Sequence, residues 1–370
     1  MSFENKVAKM RDFYMKGGRT EPERIATLCR KMDDLLNAKP NEKPRMIPED
    51  FSIQEIHQAV HPSAFPLVTG KLISKKMMDA YELADTIGDQ LVETMPSNLL
   101  IDRVPGFKVG GAINPVLPGG PYQHTGYLEE KWVQIAGQKY GKILDITWEI
   151  IKFDQTGSIL RIAGKIGEGA KMYRERLILN TIQDITGYKK WLVGSADAES
   201  VTQTDLYSTS TTSPHRTSNL ITNALVNHDD INAAVVLFGL LVDDSEQSEP
   251  IVVTPKILLV PVALDMRANM IYKSTVLIGG ANAQPNPYAG KFTPKSSPFL
   301  DAQSTTAWYL GDFRKQFVWK EVIPIQVLTR MDEENDMAWE RDVKAQYKIR
   351  FYGECAATDY CYVVKSSGTV

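Results

Sequence analysis

The stretch SILRIAGKIGEGAKMYRERLILNTI, Ser158 to Ile182, reads as one long helix that begins among glycines and stops at Thr186-Gly187. Run from Ser158 to Thr186, it spans about 45 Å at roughly 1.5 Å per residue. Gly164, Gly167 and Gly169 each weaken its first half by up to about 1 kcal/mol, so a bend, or a late start near Gly169, is expected. Beyond that point Met172, Tyr173, Leu177, Ile178, Leu179, Ile182 and Ile185 spread around most of the circumference. With no clean polar face, such a helix needs cover from more than one direction. A sheet of the same chain covers one side, and the others call for something else.

The segment upstream has the same need. Between Leu99 and Phe153, FKVGGAINPVLPGGPYQHTGY is rich in glycine and proline, while YGKILDITWEIIKFD is dense in β-branched and aromatic residues. The pattern predicts a long two-stranded excursion with a loop at its tip. An isolated hairpin is marginal in water because both faces are wet and both edges unpaired. The following FDQTG supplies a turn and cap for the long helix.

Near the start, Pro22 suits a first helical turn, and Ile25, Leu28, Cys29, Met32, Leu35 and Leu36 follow helical spacing. NAKPNEKPRMIPED then interrupts with its prolines, so this helix is tethered by an extended linker. It either packs on another surface or folds back onto its own domain. After the long helix, the Ser/Thr-rich Ser195–Ser218 segment reads as a poorly ordered connection. HDDINAAVVLFGLLVDD fits a helix capped by Asp229 or Asp230, and PIVVTPKILLVPVALDMRANMIYKS a buried strand, a proline break and another helix. Then come a strand at STVLIGG, a long loop from Ala281 to Ser297, and strands at TTAWYLGDF, FVWKEV and IPIQVLTR. After the acidic turn MDEEND, AQYKIRFYGECAATDYCYVVKSSG alternates well enough for two closing strands. The chain is a mixed α and β protein.

A length of 370 residues with 43% hydrophobic and 24% charged residues fits two or more folded subdomains. A net charge of −3 without a long basic run argues against tight nucleic-acid binding. The opening MSFENKVAKMRDFYMKGG lacks the apolar core of a secretory signal, and nothing resembles a membrane span, so a soluble protein made in a cytoplasm is expected. Cys29, Cys355 and Cys361 are too few and too unevenly placed for a disulfide framework and read as reduced core residues; an intersubunit bridge through Cys29 is the alternative.

No recognisable chemistry is encoded. There is no Walker loop, and GKIGEGA matches a dinucleotide fingerprint only loosely. His57 and His61 share a possible helical face but lack a third metal ligand. Asp332, Asp336 and Glu340 recur at four-residue intervals, as a solvated helix face does. The remaining histidines, His124, His215 and His228, belong to no catalytic set, so no catalytic, cofactor or metal residue is expected.

The order of elements, an apolar-faced arm, a long hairpin excursion, a long helix, an α/β domain and returning strands, resembles the major capsid protein of tailed bacteriophages, the Hong Kong 97 fold. FDQTGSILRIAGKIGEGAKMYRERLILNTI resembles the start of that family's spine helix, and PKILLVPVALDMRANMIYKS the strand, proline and helix of its axial domain. WYLGDF resembles the strand after the axial domain, and ERDVKAQYKIRFYGECAATDYCYVVKSSG the closing peripheral strands; the likeness covers roughly Phe65 to Gly368.

The resemblance implies an α+β fold with an N-terminal arm (1–64), the first part of a peripheral domain (65–98), an extended β-hairpin loop (99–153), and the peripheral domain with the spine helix (154–200). A connection (201–219), a central axial domain (220–319) and return strands (320–370) complete it. The function implied is a shell of hexamers and pentamers around double-stranded phage DNA, with scaffold, portal and decoration proteins as partners. Assembly would take place in the host bacterial cytoplasm. Neighbouring copies would then cover the helix and hairpin, with Gly110, Gly111, Gly119 and Gly120 bending the loop tip and Trp132, Trp148 and Phe153 anchoring its base. Gly157 and Gly167 would shape the start of the spine, and Tyr173 and Leu177 would face a neighbour. Some relatives crosslink through a loop lysine and an asparagine; Lys108, Lys131 and Asn114 are present, but no crosslink is predicted. An enzyme-storing encapsulin shell shares the fold and is the alternative, followed by an enzyme with a noncontiguous site.

Overall fold

The computed structural model describes residues 65–84, 86–109, 116, 127–147, 149, 158–189, 191–195, 201–210, 215, 217–242, 251–276, 284–330 and 342–369. The elements begin with α1 (Phe65–Leu83), α2 (Gly88–Leu91), β1 (Glu93–Pro96), β2 (Ile101–Val109), β3 (Tyr127–Ala136), β4 (Gln138–Thr147) and α3 (Ser158–Gln183). Next are β5 (Leu192–Ser195), β6 (Val201–Gln203), β7 (Leu220–Ile221), α4 (His228–Gly239), β8 (Ile257–Pro261), α5 (Val262–Lys273) and β9 (Thr293–Ser297). The chain closes with α6 (Pro298–Asp301), β10 (Trp308–Gly311), α7 (Phe313–Gln316), β11 (Phe317–Arg330), β12 (Val343–Ala357) and β13 (Val363–Ser366). The fold is α+β, and it divides into two compact units.

The first unit takes its described residues from Met1–Asp85, Lys139–Tyr173 and Ile323–Phe351. Its core joins Ile73 and Met77 of α1, Ile159 and Ala163 of α3, Ile146 of β4, and Tyr347 and Ile349 of β12. The glycines of α3 act differently from expectation: the helix runs unbroken from Ser158 to Gln183. A Cβ on Gly167 would land on the Met77 carbonyl oxygen, so this glycine allows close approach of α1. One face of the helix is exposed, and it mixes charged with apolar residues. Arg161, Ile162, Lys165, Glu168, Gly169, Met172 and Tyr173 are all exposed and recur with helical spacing. The helix also stops before Thr186, because Asp184 adopts a left-handed φ of 57°.

The second unit takes its described residues from Thr86–Gln138, Arg174–Val322 and Tyr352–Val370. It holds a five-stranded sheet of order β7-β13-β10-β8-β9 and a four-stranded sheet of order β2-β3-β5-β6. β13 lies between β7, parallel, and β10, antiparallel. β9 pairs parallel with β8 from Ile257↔Thr293 to Pro261↔Ser297, where a loop was expected. The Ser/Thr-rich connection also holds order. β6 pairs with β5, and Leu206, Tyr207 and His215 are buried. Asn219 ties this strip down, accepting from the Ser208 N–H at 2.8 Å and donating to the carbonyls of Leu206 and Tyr360 at 2.9 and 3.0 Å.

A third sheet has the order β1-β11-β12-β4. The expected strands FVWKEV and IPIQVLTR are one strand, β11, which continues through Pro324. Its partner β1 ends opposite Glu321, so among the described residues no strand flanks that side of β11 at Pro324, where a residue without an N–H is tolerated.

Two helix starts in the second unit are fixed by side chains. In α4 the cap is Asn227, not Asp229 or Asp230: its side chain accepts from both of their N–H groups, and Asp230 accepts in return from the Asn227 N–H at 3.0 Å. The first turn of α5 has no local cap. Asp301 of α6 supplies one, accepting from the Val262 and Ala263 N–H groups at 2.7 and 3.1 Å. Asp301→Ala is expected to lower stability by about 1–2 kcal/mol, read as a shifted denaturant midpoint, with Asp301→Asn retaining part of the loss.

Candidate functional site

The base of the hairpin β2-β3 is built around a buried cation. Lys320 on β11 is 0% exposed, and its Nζ donates to the carbonyls of Leu100 and Ile135 at 3.1 and 3.2 Å and lies 2.8 Å from Asp102 Oδ2. One ammonium thus ties the two hairpin strands together at their base. Burial alone would push the Asp102 carboxyl up, but hydrogen bonds to Lys320 and Ser97 and the Lys320 charge outweigh it and hold it below the ordinary carboxylate range.

Trp132 sits opposite Gly194 on β5 and Pro105 on β2. Any Cβ on Gly194 would collide with the indole, and the Arg103 guanidinium lies 4.4 Å from its ring centroid on β2. Trp132 is therefore seated by its own sheet. Just before β2 the surface is apolar, with Leu99 61% and Leu100 65% exposed.

In the first unit, Tyr173 belongs to the exposed stripe of α3 and meets Tyr140 at a centroid distance of 5.3 Å. Ile162 and Met172 share that stripe with Arg161, Lys165 and Glu168. In the second unit, Leu177 is 2% exposed and faces inward, covered by its own chain. Two residues earlier, Glu175 is buried and accepts from the N–H groups of Ile87 and Gly88 at 3.2 and 2.6 Å, capping α2.

Two perturbed ionisable groups lie at the end of α3. Burial is the leading cause of the raised pKa of Asp184 and the lowered pKa of Lys365. Both are tied to backbone: Asp184 accepts from the Leu206 N–H at 2.8 Å, and Lys365 donates to the Gln183 carbonyl at 2.9 Å. A cation at the carboxyl end of a helix complements its dipole, so the pair is a clasp for the helix end. Among the described residues no group of histidines, cysteines and acids fits a metal ion. No helix among them is long and apolar enough to cross a membrane.

What the geometry offers is surface and anchorage. A family model described as phage capsid protein matches residues 132–366, more than half of the chain. The chain belongs to this phage capsid family. The bacteriophage capsid resemblance read from the sequence is thereby borne out at the level of family. No curated protein matches the chain.

Solved structures with a similar fold include a virus-like particle from Pyrococcus furiosus, at 8% identity and a TM-score of 0.45 over 80% of this chain and 98% of that one. The procapsid of bacteriophage JBD30 is similar at 10% identity and a TM-score of 0.41, covering 84% and 77%. Mycobacterium phage Adephagia follows at 11% identity and a TM-score of 0.47, covering 77% and 90%.

Of the contact residues expected for this capsid protein, Gly110, Gly111, Gly119, Gly120 and Trp148 lie outside the described residues, as do Phe153, Gly157, Asn114, Cys29, His57, His61, His124, Asp332, Asp336 and Glu340. Cys355 and Cys361 are buried and free. Sequence reasoning missed Lys320, because FVWKEV reads as an ordinary strand with its lysine turned to solvent. It missed Gly194 because the tryptophan resting on it is distant in sequence.

Proposed function

We propose that this chain is the major head protein of a tailed bacteriophage, assembling through hexamers and pentamers into an icosahedral shell around double-stranded DNA. The family match over residues 132–366 carries this reading. Exposed apolar side chains support it, at Leu99 and Leu100 beside the hairpin and at Ile162, Met172 and Tyr173 on α3, since such surface in a soluble chain calls for a partner. In the proposed arrangement residues 99–153 hold the extended loop, whose hairpin β2-β3 lies on a neighbouring copy, residues 1–64 are the arm, and residues 220–319 the axial domain. Gly110, Gly111, Gly119 and Gly120 bend the loop tip, and Trp132 and Trp148 hold its base.

Individually weak contacts gain strength when many copies close a symmetric shell. A net charge of −3 suits a container that encloses DNA without gripping it. The role is structural and non-enzymatic, with assembly in the host cytoplasm and scaffold, portal and decoration proteins as partners. Expression of the chain followed by size-exclusion chromatography and negative-stain microscopy is expected to give capsomers or closed particles. Monomers with measurable turnover would overturn the reading, and a co-purifying packaged enzyme would move it to an encapsulin.

A further inference from the structure

The helices α4 and α5 flank the five-stranded sheet toward different ends of its strand order, α4 against β13 and α5 against β8 and β9. Among the described residues each presents an outward stripe of exposed side chains. On α4 and its cap the stripe is Asp229, Asn232, Val236 and Leu240; on α5 it is Val262, Met266, Met270 and Lys273. Met266 is 75% exposed and Leu240 61%, so each stripe carries apolar surface in line with its charged or polar end.

The two stripes match when read in opposite directions. From Asp229 the α4 positions step by three, four and four residues; from Lys273 backwards the α5 positions step by the same three, four and four. Each helix is 12 residues long. Laid antiparallel, Asp229 meets Lys273, Asn232 meets Met270, Val236 meets Met266 and Leu240 meets Val262. The acid then faces the base, the apolar pairs follow in register, and the helix dipoles oppose.

We infer that α4 of one copy packs antiparallel against α5 of the next copy, in a head-to-tail contact that repeats around a ring. The two stripes are different surfaces, so a contact of one with the other is heterologous and can propagate from copy to copy. Asn232 remains bonded to Tyr288 of its own chain at 2.6 Å and forms a polar border. Asp229 already has His228 beside it at 3.2 Å and stays 73% exposed, open to an incoming lysine. This inference rests on the shell reading above and names the surface by which its copies meet.

The test uses the full chain in a Cys29→Ser background, which removes the one cysteine not known to be buried. Val236→Cys and Met266→Cys are assembled separately and as a mixture, then treated with a short bis-maleimide able to bridge helices about 8–10 Å apart. Crosslinked pairs are expected in the mixture and absent from either variant alone. Particles that form but give no mixed crosslink would overturn the contact while leaving the shell reading intact. Crosslinking of Met266→Cys alone would replace it with a two-fold contact and overturn it as well. If the unmodified chain never assembles, both fall together. A charge exchange gives an independent readout. Asp229→Lys or Lys273→Asp alone is expected to raise the concentration needed for assembly about 5-fold, with the double exchange restoring it. Failure of that restoration would count against the register.

Discussion

Replacing Lys320 by alanine is expected to lower the unfolding free energy by about 3–5 kcal/mol, the scale for breaking one side of a buried ion pair. The change deletes a fully buried ammonium and strands the Leu100 and Ile135 carbonyls together with the Asp102 carboxylate. The loss should be read from the denaturant midpoint, with circular dichroism confirming a folded baseline. Replacing both partners with apolar residues, Lys320→Met with Asp102→Leu, is expected to recover most of it, because no charge is then left buried. A double variant as unstable as Lys320→Ala would show that the packing of the lysine stem, and not the ion pair, holds the hairpin base.

The same pair sets a pH dependence. The Asp102 pKa is depressed in the fold, so the stability it adds is present above its unfolded value, near 3.8, and is lost as pH falls through the lower folded value. The difference between wild type and the double variant should therefore shrink in acid and stay constant near neutrality.

Gly167→Ala is expected to cost about 2–3 kcal/mol even though alanine is the better helix former. The added methyl would meet the Met77 carbonyl oxygen and the Ala80 side chain, and a backbone carbonyl has no rotamer by which to move aside. Gly169→Ala provides the contrast on the same helix. Nothing lies within 4 Å of its Cβ position, so alanine there should stabilise by about 0.5–1 kcal/mol. Equal effects at the two positions, measured by thermal unfolding, would mean that α1 does not press on α3 as described.

These two glycines also show what could be read from the chain itself. Sequence periodicity located α3, but nothing in GKIGEGA tells a glycine needed for close packing from one that only weakens the helix; the partner, α1, lies about 90 residues away. The strand-proline-helix from Ile257 to Lys273 was legible because a run of apolar residues and a proline at the helix start are local signals. β9 was not. TPKSS has no apolar alternation and earns its place only by pairing with β8. Pro324 suggested a break that β11 does not need, since among the described residues no strand flanks it there on the β1 side. At the candidate surfaces, Trp132 and Tyr173 could be singled out as large residues in amphipathic settings. Leu177 could not be placed, since an apolar residue on a long helix has the same sequence signature facing in or out. The Asn227 cap was hidden behind two aspartates that are equally good cap formers by type.

The position of β13 has a consequence for synthesis. It stands inside its sheet, between β7 and β10, yet the ribosome delivers Val363–Ser366 only after every other strand of that sheet. Until then β10 has no neighbour on one flank and β7 no partner, so a nascent chain should hold this sheet open. Copies still being translated would thus be poor substrates for joining, which would keep half-made chains out of a growing particle.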